Sequence, residues 1–163
     1  MKNIVPLLAL ALLCSCGGLR QIQVEEVRNV RLKQFSGNTL AVELEARVNN
    51  PSRREVHLNK LELSVTRGTS PFATITTTER LTVPRRSNNF AEVPLEVRLR
   101  NMLSVMMAVQ LGTFSLDNLV VEGEMTVTAF PVTKKIKIEP INLQAFTEQY
   151  GDIVTPLLNL RGR

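Results

Sequence analysis

The 163-residue sequence has no tryptophan, one tyrosine and one histidine, and both of its cysteines fall within the first 16 residues. Beyond Cys16 no thiol is left to pair, so a disulfide framework is excluded from the folded part of the chain. Neither a histidine pair nor an acidic calcium loop is present, which leaves no metal-ligand spacing. His57 stands alone and no nucleophile–base–orienter set can be assembled around it, so a surface role is expected for it. There is no phosphate-binding glycine loop and no Gly-x-Ser-x-Gly elbow. The expectation is a protein without catalytic residues, cofactor or metal. Aromatic residues make up 4% of the chain, and no recognition motif accompanies its net charge of +5. Nucleic-acid binding, which uses stacking platforms as well as charge, is therefore not expected.

No apolar run reaches the roughly 20 residues that a membrane-spanning helix needs. The nearest is Ile4 to Leu13, which follows the positive Lys2 and has the length of an export-signal core. It ends in Leu13-Cys14-Ser15-Cys16, which resembles the bacterial lipobox: an aliphatic residue three positions before a cysteine and a small residue just before it. Cys16 fits this pattern, whereas Cys14 is preceded by the bulky Leu12 and Leu13. The resemblance implies cleavage after residue 15, lipidation of Cys16 and a brief tether over 16–21 that holds the domain to a membrane. Gly17 and Gly18 lack the aspartate that commonly retains lipoproteins in the inner membrane. A periplasm-facing position on the outer membrane of a bacterial envelope is therefore expected.

What the chain has in quantity is period-two alternation. In Thr39 to Pro51, Leu40, Val42, Leu44, Ala46 and Val48 alternate with Ala41, Glu43, Glu45 and Arg47. This is the signal of a strand with one dry face and one wet face. It stops at Asn49-Asn50-Pro51, because proline cannot donate to a ladder and the asparagines can turn the chain. Before it, Ile22 to Phe35 is extended with a bulge or break near Glu25-Glu26, and Ser36-Gly37-Asn38 makes a turn. After it come a strand from about Val56 to Thr66 and a turn at 66–71. A single strand, suited by its threonines to a sheet edge, is expected over Phe72–Val83. Val93 to Leu99 alternates again, with an unpaired or bulged position at Pro94.

Asn101 to Leu111 breaks this rhythm. Met102, Val105, Met106 and Val109 recur at helical spacing, Asn101 can cap and Gly112 can terminate. A helix over about 101–111 is expected to plug one end of the core, in preference to forming a methionine-rich binding surface. Strands return over Asn118–Phe130 and Val132–Glu139, with Phe130-Pro131 as the turn and Pro140 as the end. The domain is thus expected over 22–140, followed by a tail over 141–163 that is helical at Leu143, Phe146 and Tyr150. In that tail Leu157, Leu158 and Leu160 are expected to dock on the domain, the alternative being an apolar handle for a partner.

Short strands, turn chemistry and one helix read as an all-β sandwich. The order of features is more specific. Val48-Asn49-Asn50-Pro51 is followed by Leu58, Leu61 and Leu63, then by Phe72-Ala73, Leu81-Thr82-Val83-Pro84, Ser87 and Val93-Pro94-Leu95-Glu96-Val97. A hairpin centred on Gly123 closes the series. Over roughly Val27 to Pro140 this resembles the group-2 late-embryogenesis-abundant family, also called the water-stress and hypersensitive-response (WHy) domain, and in particular its bacterial lipoprotein members. The resemblance implies an immunoglobulin- or fibronectin-III-like sandwich with a stress-protective or binding role and no catalytic residues. The basic clusters are Arg53-Arg54, Arg85-Arg86 and Lys134-Lys135 with Lys137. Arg85, Arg86, Lys134, Lys135 and Lys137 are candidates for contact with anionic lipid head groups or envelope polymers. An envelope protein is the other partner class, through a sheet edge or the Leu157–Leu160 segment.

Overall fold

A computed structural model of the chain describes residues 22–145. The signal and tether over 1–21, including Cys16, and the tail from 146 onward lie outside the described residues. The elements in order are β1 (Gln23–Ser36), β2 (Thr39–Asn50), β3 (Val56–Arg67), β4 (Ser70–Thr77), β5 (Leu81–Val83), β6 (Ser87–Leu99), α1 (Met102–Gln110), β7 (Leu119–Ala129) and β8 (Val132–Asn142). All pairings are antiparallel, in the order β1-β2-β6-β4-β3-β7-β8, with β5 alongside β3. The sheet doubles over so that β1, β2 and β6 pack on β3, β7 and β8, and the described residues form an all-β sandwich that carries the short helix α1.

The alternation in β2 has the expected consequence. Val42 and Ala46 are buried; Leu40 and Val48 pack against separate core clusters; Glu43, Glu45 and Arg47 take the other face. One cluster gathers Ile22, Val56, Met125, Val127, Ala129 and Ile136 near the Asn-Pro corner, and the other gathers Val65, Ala73, Leu99, Met102 and Leu119 near the helix. In β3 the inward phase switches from Val56 and Leu58 to Leu61, Leu63 and Val65. The β3–β7 register shifts between Leu58 and Lys60, and the bulged Asn59 donates to Thr128 Oγ1 at 2.7 Å. One extra residue is what reverses a period of two. In β1 the register shift between Val24 and Glu26 matches the expected bulge, but the strand runs on unbroken to Ser36.

Four expectations are corrected. Residues 72–83 form two strands, β4 and β5, and β4 is no edge: Ile75 pairs with Leu63 on one side and Val97 on the other. The same threonine-rich pattern suits either position, so sequence alone could not tell an edge strand from the strand that links the two layers. Pro140 does not end β8, which continues to Asn142; the strand is at the sheet edge, and the proline sits where the β7–β8 register shifts, so no donor is missed. The domain accordingly extends past residue 140. Gly123 is the middle of β7 rather than a hairpin centre, and the hairpin turns at Phe130-Pro131. A Cβ at Gly123 would run into the Glu62 carbonyl and lie 2.9 Å from Leu63 Cα, so the β3 backbone approaches where only glycine fits. Met106 is not a core residue: α1 buries Met102 and half-buries Val105 and Val109, while Met106 is 45% exposed. A helix lying across the end of a sandwich touches it along a narrow stripe, and Met106 falls at the stripe's margin.

Pro94 lies in a central strand without breaking it. Its register with Glu43 is regular, and its carbonyl accepts from Thr78 N at 3.2 Å on the other side, where β4 has just ended. The nitrogen of Pro94 is on that same side, so the bond it cannot make is the return bond to Thr78, one residue past the end of β4, and the pairing with β2 loses nothing. Asn101 caps α1, its side chain accepting from Ser104 N at 3.1 Å, and Gly112 follows the helix at φ +68.

Candidate functional site

The Asn-Pro corner is built around a buried amide. Asn50 is fully buried and uses both ends of its side chain: Nδ2 donates to the carbonyls of Arg54 and Pro84, each at 2.9 Å, and more weakly to Val83 at 3.4 Å. Its Oδ1 accepts from Ser52 N at 3.1 Å and from Ser52 Oγ at 2.6 Å. Arg86 N donates to Ser52 O at 3.0 Å, and Ser87 Oγ donates to Pro84 O at 2.7 Å. Pro51 frees the chain from the ladder, and Asn50 then supplies the donors and acceptors that the two loops would otherwise lack.

This arrangement brings together two dibasic pairs that are separate in sequence. Arg53 and Arg54 sit in the β2–β3 loop and Arg85 and Arg86 in the β5–β6 turn, all four exposed. Among the described residues none of these four guanidinium groups forms an ion pair. The outer face of β1, β2 and β6 is the opposite case. There Glu45 binds Arg28 at 2.9 Å and Arg31 at 3.9 Å, Glu43 binds Lys33 at 2.8 Å, and Glu26 binds Arg47 at 3.8 Å. Phe90 is covered by Arg28 and Arg47, with guanidinium carbons 3.4 and 4.6 Å from its ring centroid. The hydrogen bonds from Arg28 and Asn29 hold the Glu45 carboxyl below its ordinary range. Charge on that face is internally matched; at the corner it is not.

Two further features share the corner's end of the sandwich. The β7–β8 hairpin turns there, since Thr128 pairs with His57 near the start of β3 and Ala129 with Val132. Its tip carries Phe130, 82% exposed, with Val132 beside it. The N-terminal side of the domain is there as well, with Gln23 opposite Asn49 and Ile22 buried in the neighbouring core. Neither the hairpin's exposed aromatic nor its nearness to the arginines was readable in the sequence, since both depend on long-range pairing.

The other residues singled out in the sequence are dispersed. β8 places half-buried Lys134 in phase with Ile136 and Ile138, and sends Lys135 and Lys137 to the opposite side. Lys135 Nζ lies 3.3 Å from Glu124 Oε1, and Lys137 is opposite Glu124 in the register. These lysines do not join Arg85 and Arg86 in one cluster. His57 is half-buried rather than a simple surface residue. Its Nδ1 is 3.0 Å from Thr82 Oγ1, directly across on β5, and its Nε2 is 3.1 Å from Glu55 Oε1. At the opposite end, Arg67 stacks between Phe72 and Phe114, at 4.9 and 5.9 Å, and donates to Ser115 O at 2.9 Å. The helix at that end leaves Leu103, Met106, Met107 and Leu111 exposed. Among the described residues no three metal-ligating side chains converge.

No curated protein sequence matches the chain. Among solved structures, a protein from Archaeoglobus fulgidus is similar at 11% identity and a TM-score of 0.49, covering 73% of this chain and 96% of that one. A Northeast Structural Genomics Consortium target is similar at 11% identity and a TM-score of 0.40, covering 74% and 84%. The family model described as late embryogenesis abundant protein matches residues 45–144, a span that takes in the Asn-Pro corner, the two dibasic loops and the strands that follow, and the chain belongs to that family.

Proposed function

We propose that this protein is a lipid-anchored, WHy-type member of its family that binds or protects anionic components of the bacterial envelope under stress, without catalysing a reaction. The observation that carries this reading is Leu13-Cys14-Ser15-Cys16 at the end of a short apolar run. Acylated Cys16 holds the domain at the membrane, on the periplasmic side of the outer membrane, and the unpaired arginines of the corner supply the attraction for anionic groups. Replacing Cys16 by Ala is expected to release the protein into the soluble fraction or leave it unprocessed. Mass spectrometry of the wild-type protein that found an unmodified mature N-terminus would refute the anchor.

The non-catalytic reading rests on His57. The structure does line up Thr82, His57 and Glu55 within hydrogen-bond distance, contrary to the expectation that no such set could form. Thr82, however, is the direct cross-strand neighbour of His57 and the Glu55 side chain is 52% exposed, the ordinary arrangement of paired side chains on a sheet face. His57→Ala is therefore expected to rescue a deletion strain fully. A purified protein that turned over a substrate, and lost that turnover on one substitution, would overturn this reading. The second reading is an assembly adaptor docking on an envelope protein, favoured by exposed Leu103, Met106 and Met107 on α1 with Leu111 just after it, and by Leu157, Leu158 and Leu160 in the tail. Crosslinking in intact cells separates the two: one stoichiometric protein partner supports the adaptor, and diffuse contacts support protection.

A further inference from the structure

We infer that the Asn-Pro end of the sandwich is a membrane-docking surface, with Arg53, Arg54, Arg85 and Arg86 on anionic head groups and Phe130 entering the interfacial layer. The inference rests on the proposed anchor at Cys16 for its geometry, and adds to it which end of the domain meets the bilayer and through which side chains. Three observations converge on it. Four exposed guanidinium groups are presented by two loops that Asn50 and Ser52 tie together, and among the described residues none is neutralised by a carboxylate. The carboxylates nearest these loops keep their charge but bind partners other than the arginines: Glu25 accepts from Asn49 and Asn88 at 3.1 Å each, and Glu55 contacts His57.

The second observation is the hairpin tip. β5, β3 and β7 are adjacent strands, about 5 Å apart, so Arg85, Arg54 and Phe130 rise from neighbouring strand ends within about 10–15 Å of one another. A large aromatic residue that is 82% exposed beside a cluster of arginines has the composition of an interfacial contact: the cations meet the head groups and the ring meets the boundary with the acyl chains. The third observation is the point of entry. Ile22 is buried at this same end, and the chain from Cys16 to Ile22 spans at most about 20 Å when fully extended. The helix end lies a further 12-residue strand away, about 40 Å. A domain tethered at Cys16 therefore holds its arginine end near the head groups and its helix end away from them. An anionic polysaccharide would satisfy the arginines but gives no role to Phe130, and a membrane accounts for both.

The test uses the full protein purified from cells and reconstituted into vesicles containing 30% phosphatidylglycerol in phosphatidylcholine, or phosphatidylcholine alone. If Cys16 is acylated and the signal removed, no free thiol competes with labelling, and a fluorophore can be placed at Val132→Cys or at Leu103→Cys. Quenching by nitroxide-bearing lipid is then read for each position. The label at residue 132 should be quenched at least about five-fold more strongly with phosphatidylglycerol than without it, since each arginine near an anionic leaflet is worth about that factor. The combined variant Arg53→Glu, Arg85→Glu should abolish the difference, as should high salt. Both side chains are exposed, and neither supplies an atom to the Asn50 network, so the fold is kept. Phe130→Ser should retain the lipid dependence and reduce the depth of quenching. The label at residue 103 should stay at background throughout. Equal quenching at 132 with and without phosphatidylglycerol, stronger quenching at 103, or protection of 132 by an anionic polysaccharide but not by vesicles would overturn the inference. Mass spectrometry of the same sample reads the state of Cys16 independently, so failure of the anchor and failure of the docking surface give different results.

Discussion

At one end of the sandwich a buried asparagine holds two loops together through five side-chain contacts to neighbouring polar groups. At the other a helix lays Met102 over the core, and an arginine between two phenylalanines closes the side. The polar closure fixes its loops by direction, because hydrogen bonds constrain angle as well as distance. The apolar closure fixes its helix mainly by contact area, which tolerates sliding. That difference suits the first end to presenting side chains in a set geometry, and it leaves the second with exposed Leu103, Met106, Met107 and Leu111 along the outer side of its helix.

The largest expected effect follows from breaking the polar closure. Asn50→Ala removes the donors to two carbonyls and the acceptor for Ser52 N, and should cost about 3–5 kcal/mol in denaturant unfolding. Asn50→Asp keeps acceptors but loses the Nδ2 donor, so it should not restore stability; a wild-type midpoint in either variant would show that the corner does not depend on this amide. At the apolar closure, Met102→Ala should cost about 2–4 kcal/mol, with the arginine loops still folded. Loss of lipid binding in Met102→Ala, measured under conditions where it remains folded, would show the two ends to be coupled.

Between the ends, the paired charges on β1 and β2 provide a contrast with the unpaired arginines. The folded protein holds the Glu45 carboxyl below its reference value of 4.5, so the stabilisation it provides is present above the unfolded value and lost as pH falls through the lower folded one. The midpoint difference between wild type and Glu45→Gln should therefore shrink as pH falls from 7 to 3. A difference that stayed constant or grew would reveal a different origin for it. The smallest effect is expected at Leu103, which is 70% exposed: Leu103→Ser should change stability by no more than about 0.5 kcal/mol. A loss several times larger would mean that something covers this side of the helix.

Much of the fold was legible because it is written in local pattern. The Leu40-to-Val48 alternation gave the dry face of β2, although Leu44 is only half-buried and Val42 and Ala46 are the sealed positions. The Asn101 cap and the Gly112 stop bounded α1 because both act within one turn of the helix. Asn50-Pro51 was recognisable as a corner, while the reach of its amide to residues 83 and 84 was not. Of the candidate site, Arg85 and Arg86 were visible as charge, but their neighbour proved to be the Arg53-Arg54 loop and not the β8 lysines.

What the sequence determined by itself was whatever depends on neighbours along the chain: strand phase, turn positions, helix caps and the apolar run that leads to Cys16. Only the tertiary structure decided that β4 joins the two layers, that Pro140 stays in an edge strand, and that Gly123 lies against the β3 backbone. It alone also set two arginine pairs, an exposed phenylalanine and the entry of the chain at one end. Side-chain period is a property of one strand, whereas register and strand order are set by pairings between residues far apart in sequence, and a local pattern carries no record of its partner.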